Sequence, residues 1–361
     1  MADLDSSTPL LSAMDLAEES NVSSAIDLAE ESNVSAAFPL LVLEPPPDSD
    51  RSSYKVFSLP EQKLQDIPPF LPSKKVCLAT PQGWVLVLSS SDSSSEDAGT
   101  HLLNPKDGSR IELPTLKDDE VPWTCRCVLS NVVAAPGCSV LVFDHASPVM
   151  WFCRVGQDLR WSRHGYDIGC FDLPLPGSPP INIKRHFVDV AAVIGRFFFC
   201  ESNDSLGTLD FHTDDASGEP EARLGAIAVP CVEVPFGLTA TYVLESCNDL
   251  FLVHIPFHGM CVDQPGELRV YRMDFSEPPA WRKTDCIGDR AFLLGRSNFA
   301  ASCSASGCGL KPNCIYWVNS LSEKNSDLHV LGLQDGSSEI VKQFENVLVV
   351  RKPFWVVPVD A

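Results

Sequence analysis

Apolar residues in this chain fall in short runs separated by turn residues, and no intervening stretch repeats at the spacing of an amphipathic helix. Leu141 to Trp161 and Leu268 to Trp281 each read as apolar strand, polar break, then tryptophan. The same logic predicts strands at 39–43, 54–59, 83–88, 101–103, 139–143, 149–154, 188–193, 196–200, 208–211, 241–245, 250–254, 268–273, 291–294, 314–318 and 327–331. Turns are marked by Pro45-Pro46-Pro47, Asn104-Pro105 and Asp107-Gly108. Many short strands without helices predict an all-β fold, and the β-propeller fits best, because a blade buries its faces only against neighbouring blades and must therefore recur along the chain. About 310 residues at ~45 per blade give six or seven blades. An immunoglobulin-like array needs a Cys-Trp-Cys spacing that is absent, and one up-and-down barrel does not use this many strands. Leu40-Leu41-Val42-Leu43 and Trp355-Val356-Val357 are the expected strands of ring closure.

Composition narrows the class. With 44% hydrophobic residues in 361, the chain can bury a large core. Arg196 and Lys352 interrupt the longest apolar stretches, so no membrane span is expected. Fourteen cysteines, mostly scattered singly and without a basic-then-apolar leader, are expected to be reduced thiols of a cytoplasmic or nuclear protein. The net charge is -21, and residues 1–50 hold eleven Asp and Glu with no Lys or Arg. Such a field repels phosphate backbones and anionic lipid, so neither nucleic acid nor a membrane is an expected partner.

Residues 1–37 form a unit of their own, ahead of a propeller at 38–361. Asp15 to Ala25 recurs almost unchanged at Asp27 to Ala37, a shift of 12 residues. That period turns Leu16 and Leu28 to different sides of a helix, so a long amphipathic helix is disfavoured. The expectation is a disordered acidic tail, with a bivalent short linear motif as the sharper alternative. The Ser- and Asp-rich tract from Ser89 to Ala98 is expected to be an exposed loop between strands.

Several motifs then recur in a set order: Gly83-Trp84-Val85-Leu86, Leu103-Asn104-Pro105 with Ile111-Glu112-Leu113-Pro114, Phe152-Cys153-Arg154-Val155-Gly156 with Trp161, Leu244-Glu245-Ser246, Val270-Tyr271-Arg272-Met273 with Trp281, Ile287-Gly288-Asp289-Arg290-Ala291-Phe292-Leu293, and Asn313-Cys314-Ile315-Tyr316. In order and spacing, from about Tyr54 to Pro358, they resemble the plant KIB-type β-propeller family, domain of unknown function 295. The resemblance implies a kelch-like propeller, often fused behind an F-box that docks the Skp adaptor of a cullin ubiquitin ligase. Residues 1–38 show no amphipathic helical run of F-box length. Leu59-Pro60-Glu61, Leu64 and Ile67 mimic an F-box opening, but Pro68-Pro69 would break its helix. The stretch reads better as the first blade, so no direct binding to a Skp adaptor is expected.

Sites of chemistry are scarce. Gly-x-Ser-x-Gly, His-Glu-x-x-His, Gly-x-x-x-x-Gly-Lys and Gly-x-Gly-x-x-Gly are all missing, and no catalytic residue, cofactor or metal is expected. His254, His258 and Cys261 have ligand-like spacing, but Pro256 interrupts them and a fourth ligand is unnamed. Cys303, Cys308 and Cys314 lack a Cys-x-x-Cys pair and read as incidental thiols of a loop. Trp161 and Trp281 are expected to fill wedges between blades. Trp123, in the charged, Pro-containing stretch Asp118 to Arg126, is the candidate anchor for a partner protein, with Arg126 beside it; the alternative is that Trp123 plugs the channel. The function expected is a non-enzymatic protein-interaction scaffold, related to ubiquitin-ligase substrate receptors. The alternatives are an enzyme with a pocket at the propeller axis and a degenerate member without a retained partner.

Because an acidic segment poor in aromatics buries little apolar surface, deleting residues 1–37 is expected to leave cooperative thermal unfolding unchanged. Loss of cooperativity in the deleted form would show that the tail packs on the propeller.

Overall fold

A blade standing between two neighbours must be apolar on both faces near the axis, and the inner strands meet that demand. In Arg196–Ser202, Phe197 and Phe199 enter one hydrophobic cluster while Phe198 enters the next, so three consecutive aromatics are buried on alternating sides. Outer strands are polar instead: Lys63–Asp66, Ser162–Gly165 and Ser338–Lys342 are largely exposed.

The computed structural model describes residues 37–43, 55–66, 68, 76–91, 99–131, 136–175, 178–213, 220–233, 237–258, 261–295, 299–319, 327–344 and 354–359. Among them are 28 strands and no helix, so none that could cross a membrane. The chain divides into Met1–Ala36 and Ala37–Ala361. The acidic repeat up to Ala36 and most of the Ser- and Asp-rich tract, 92–98, lie outside the described residues.

The strands form a six-bladed propeller. Blade 1 joins β1 (Leu40–Leu43), β2 (Lys55–Ser58) and β3 (Lys63–Asp66) to the final strand, β28 (Phe354–Val356), at its inner edge. Blade 2 is β4 (Cys77–Ala79), β5 (Val85–Val87), β6 (Thr100–Leu103) and β7 (Arg110–Leu113); blade 3 is β8 (Cys125–Leu129), β9 (Ser139–Asp144), β10 (Val149–Arg154) and β11 (Ser162–Gly165). A separate ribbon, β12 (Cys170–Leu175) with β13 (Ser178–Lys184), precedes blade 4, which is β14 (Ala191–Val193), β15 (Arg196–Ser202), β16 (Ser205–Thr213) and β17 (Pro220–Ala228). Blade 5 contains β18 (Thr239–Ser246), β19 (Asp249–His258), β21 (Arg269–Asp274) and β22 (Ala280–Thr284), with β20 (Cys261–Pro265) added to the end of β19.

Blade 6 departs from the simple order. Its strands lie as β24 (Ala300–Ser304), β23 (Arg290–Leu294), β25 (Cys314–Val318), β26 (Leu328–Gly332) and β27 (Ser338–Lys342), and β23 pairs with β25 in parallel. The β23–β24 hairpin folds inward and places β24 beside β18. Ala300, Ala301, Ser302, Cys303 and Ser304 are all small, which suits the crowded innermost position. Cys303 therefore belongs to a strand and Cys314 opens another, which corrects their reading as one loop. Blade number resolves to six. The loop expected over Asp118 to Arg126 ends at Thr124, because Cys125, Cys127 and Leu129 alternate into the wedge between blades 2 and 3 as the inner strand β8. Residues 59–62 make the turn between β2 and β3, so the stretch with an F-box-like opening is a hairpin as far as Asp66.

Five hydrophobic clusters fill the wedges between blades 2 and 3, 3 and 4, 4 and 5, 5 and 6, and 6 and 1. Trp161 and Trp281, on or beside the outer strands of blades 3 and 5, pack half-buried against the first and third of these, as expected. Polar contacts cross the same seams: Leu129 N donates to Gln82 Oε1 at 3.0 Å, Gly195 N to Ser130 O at 3.1 Å, and the Ser246 and Ser302 hydroxyls meet at 2.8 Å.

Closure is made by the chain's two described ends. Leu40, Leu41 and Val42 pair with Val356, Trp355 and Phe354, one residue earlier than Trp355 to Val357 as read from the sequence. Trp355 is fully buried in the wedge between blades 6 and 1 and donates Nε1 to Leu294 O at 3.2 Å. Past β28 the chain crosses onto blade 2, where Gly83 has φ +89° and a Cβ there would sit 2.7 Å from Pro358 O. Val359 then packs against the cluster of blades 2 and 3.

Trp355→Ala is expected to cost about 3–5 kcal/mol in urea unfolding, and removal of Phe354–Ala361, which opens the edge of β1, to abolish cooperative unfolding. An unchanged midpoint in either variant contradicts the closure.

Candidate protein-binding face

Within blades 2 to 5 successive strands are antiparallel, so the link from one blade's outer strand to the next blade's inner strand emerges on the same side as the turn between its second and third strands. Two consecutive links on that side carry exposed apolar side chains. The first, between β7 and β8, holds Trp123, which is 77% exposed and so does not plug the channel. Its base is fixed at both ends. Asp118 N donates to Ser89 O at 2.9 Å, and Asp118 Oδ1 accepts from Ser91 N at 2.9 Å. On the other side Asp144, buried at the β9–β10 turn, accepts from Thr124 Oγ1 at 2.5 Å, from Ala146 N at 2.9 Å and from Ser147 Oγ. Burial works to raise the Asp144 carboxyl, but the hydrogen bonds from Ser147, Thr124 and Ala146 prevail and hold it below its ordinary value.

The second link contains the β12–β13 ribbon. Directly paired residues share a face, so Phe171 with Ile183 and Leu173 with Ile181 line one side, while Cys170 with Lys184 and Asp172 with Asn182 line the other. No blade covers the apolar side completely: Phe171, Leu173 and Ile181 are 42%, 40% and 51% exposed. Sequence reasoning missed these residues. Their signal was the alternation Phe171-Asp172-Leu173 and Ile181-Asn182-Ile183 around a Pro- and Gly-rich turn.

Arg126, expected beside Trp123, is the second residue of β8 and is turned inward. Its Nη2 is buried and, among the described residues, has no hydrogen-bond partner. Burial lowers the guanidinium to about 10, opposed by the charges of Asp189, ahead of β14, and Tyr242, on β18. Asp189 accepts from Val243 N at 2.9 Å, tying blade 4 to blade 5. Burial raises its carboxyl to about 6 against the pull of that hydrogen bond and of Arg126. Tyr242 is buried and accepts a hydrogen bond from Trp317 Nε1 at 3.1 Å. Residues on β8, just ahead of β14 and on β18 thus set a cation, an acid and a phenol close enough for their charges to influence one another.

The other sequence candidates disperse. His254 is buried edge-on to Tyr271, and burial lowers its imidazole below the ordinary value. The side chains of His258 and Cys261 lie outside the described residues. Cys303 lies in the cluster between blades 6 and 1, and Cys308 and Cys314 pack against it. No group of three or more potential metal ligands occurs among the described residues.

Residues 56–341 match the KIB1-4 beta-propeller family. The chain belongs to that family. No curated protein matches it. Among solved structures, TolB from Acinetobacter baumannii is similar at 14% identity and TM-score 0.39, covering 93% of this chain and 71% of TolB. Dihydro-heme d1 dehydrogenase NirN, in complex with DHE, is similar at 10% identity and TM-score 0.35, covering 86% of this chain and 64% of NirN. Within the KIB1-4 propeller, then, the exposed apolar links lie on either side of blade 3, and the buried Arg126 and Asp189 lie inside it.

A carboxyl raised by the fold favours the folded state while protonated. Its contribution is full below about pH 4 and is lost as pH rises through about 6. Wild type is therefore expected to lose about 3 kcal/mol relative to Asp189→Asn between those values, from roughly two pKa units. Parallel stability curves for the two proteins, measured by denaturant unfolding across that range, contradict the assignment.

Proposed function

We propose that this propeller is a non-enzymatic protein-interaction scaffold whose partner sits on the face carrying Trp123 and the β12–β13 ribbon. One observation carries the reading: Trp123, Phe171, Leu173 and Ile181 are exposed on the two consecutive links that flank blade 3. An aromatic held on a fixed loop binds with little loss of conformational freedom, and contiguous exposed apolar surface favours a protein partner. Membership of the KIB1-4 family supports a scaffold. It also supports, through the resemblance to F-box-fused propellers, a role in presenting substrates to a ubiquitin ligase. Any such link is indirect in this proposal, because β1 to β3 form a blade where a Skp adaptor needs helices. The enzyme alternative would draw on the axial Arg126 and Asp189, yet structural charge networks shift pKa values as strongly as catalytic ones.

Affinity purification from plant tissue tests the reading, with wild type beside Trp123→Ala and Phe171→Asp. A specific partner is expected to be retained by wild type and reduced roughly 30-fold or more by each substitution, the loss typical of an aromatic anchor, with unfolding midpoints unchanged. Calorimetry of the purified chain with a Skp adaptor is expected to show no one-to-one binding at micromolar concentration. Equal recovery by all three proteins, or tight adaptor binding, overturns the proposal.

A further inference from the structure

On the rim between blades 5 and 6, the end of β22, the link into β21 and the β26–β27 turn enclose a groove of about 780 Å³, open along one side. Leu268 and Leu333, half-buried over the core residues Val270 and Leu331, supply an apolar floor, and the walls are acidic. Glu267 is partly neutralised by Lys283, 3.5 Å away. Asp335 accepts from Ser337 N at 3.0 Å, which fixes the turn that forms one wall. Asp285 is exposed, and its carboxylate makes no hydrogen bond or ion pair among the described residues; only its backbone carbonyl is engaged, by Asn313 Nδ2 at 3.0 Å.

We propose that this groove docks a basic peptide segment of a partner protein, with an apolar side chain on Leu268 and Leu333 and a neighbouring Lys or Arg against Asp285. Charge complementarity identifies the occupant. The three carboxylates against one ammonium leave the groove negative, so the local field favours a cation and repels an acidic segment or a nucleic acid. Volume and shape agree. An open trough between turns admits an extended segment, whereas a small ligand needs burial on most sides. The site is two blades away from the ribbon and three from Trp123, and it stands without the reading given to them.

The probe is a fluorescein-labelled peptide of alternating Arg and Leu, titrated with the full chain and followed by fluorescence anisotropy. Saturable binding at micromolar concentration is expected, weakened roughly tenfold or more by Asp285→Lys and lost when Gln replaces Arg in the peptide. Glu112→Lys, the same charge change on exposed β7, is expected to leave the affinity within about twofold, since an exposed charge so far away is screened. Because Asp285 is exposed, its replacement is not expected to disturb folding, and circular dichroism checks this. Absence of saturable binding, unchanged affinity in Asp285→Lys, or an equal loss in Glu112→Lys, which would reduce the effect to net charge, overturns the proposal.

Discussion

Three residue pairs between β1 and β28 close the ring, and the rest of the fold depends on them. A blade buries its faces only against its neighbours, so an open ring leaves two apolar faces in water and an unpaired strand edge. The burden on this seam is visible in its residues. Trp355 reaches blade 6 through Leu294, the segment after it lies over Gly83 of blade 2, and Val359 reaches the next wedge. This strand and the residues just after it thereby reach blades 6 and 2 and the wedge between blades 2 and 3, besides the strand's own partner in the sheet, while the inner strand added in blade 6 is built from small residues that fit beside the axis.

How much of this was legible in the sequence follows from where a strand sits. The second and third strands of each blade are buried on both faces, so β5, β9, β10, β15 and β19 stand out as apolar runs. Outer strands such as β3, β11 and β27 face water, and Lys63-Leu64-Gln65-Asp66 or Ser338-Glu339-Ile340-Val341-Lys342 carries little hydrophobic signal. β8 was hidden because cysteines occupy its positions facing blade 2, and β24 because alanine, serine and cysteine fill it. Both are innermost strands, where space rather than hydrophobicity selects the residue. Closure was legible because Trp355 and Leu40 to Leu43 are strongly apolar at the two ends of the propeller.

The candidate binding face was only half legible. Trp123 stood out as an aromatic among polar residues, and it is exposed. Arg126, three positions later, could not be separated from it by sequence alone, since the entry into β8 reverses which neighbours a side chain meets. The buried guanidinium is held up against the lowering effect of burial by the charges of Asp189 and Tyr242, groups that come from other blades and far along the chain. The ribbon escaped because Pro174, Pro179 and Pro180 argue against a strand, although an isolated two-stranded ribbon tolerates proline at its unpaired edges. Each of these features is set by contacts between blades, which local patterns do not encode.

The central claim is that the ring holds only as a closed whole. Native-state hydrogen exchange of the β1 and β28 amides tests it most directly. If closure governs the fold, these amides exchange only through global unfolding, with the same protection free energy as the buried strands β9 and β15. If β28 instead exchanges through a local opening, several kcal/mol below the global value, while the other blades stay protected, the seam is dispensable and the account is contradicted.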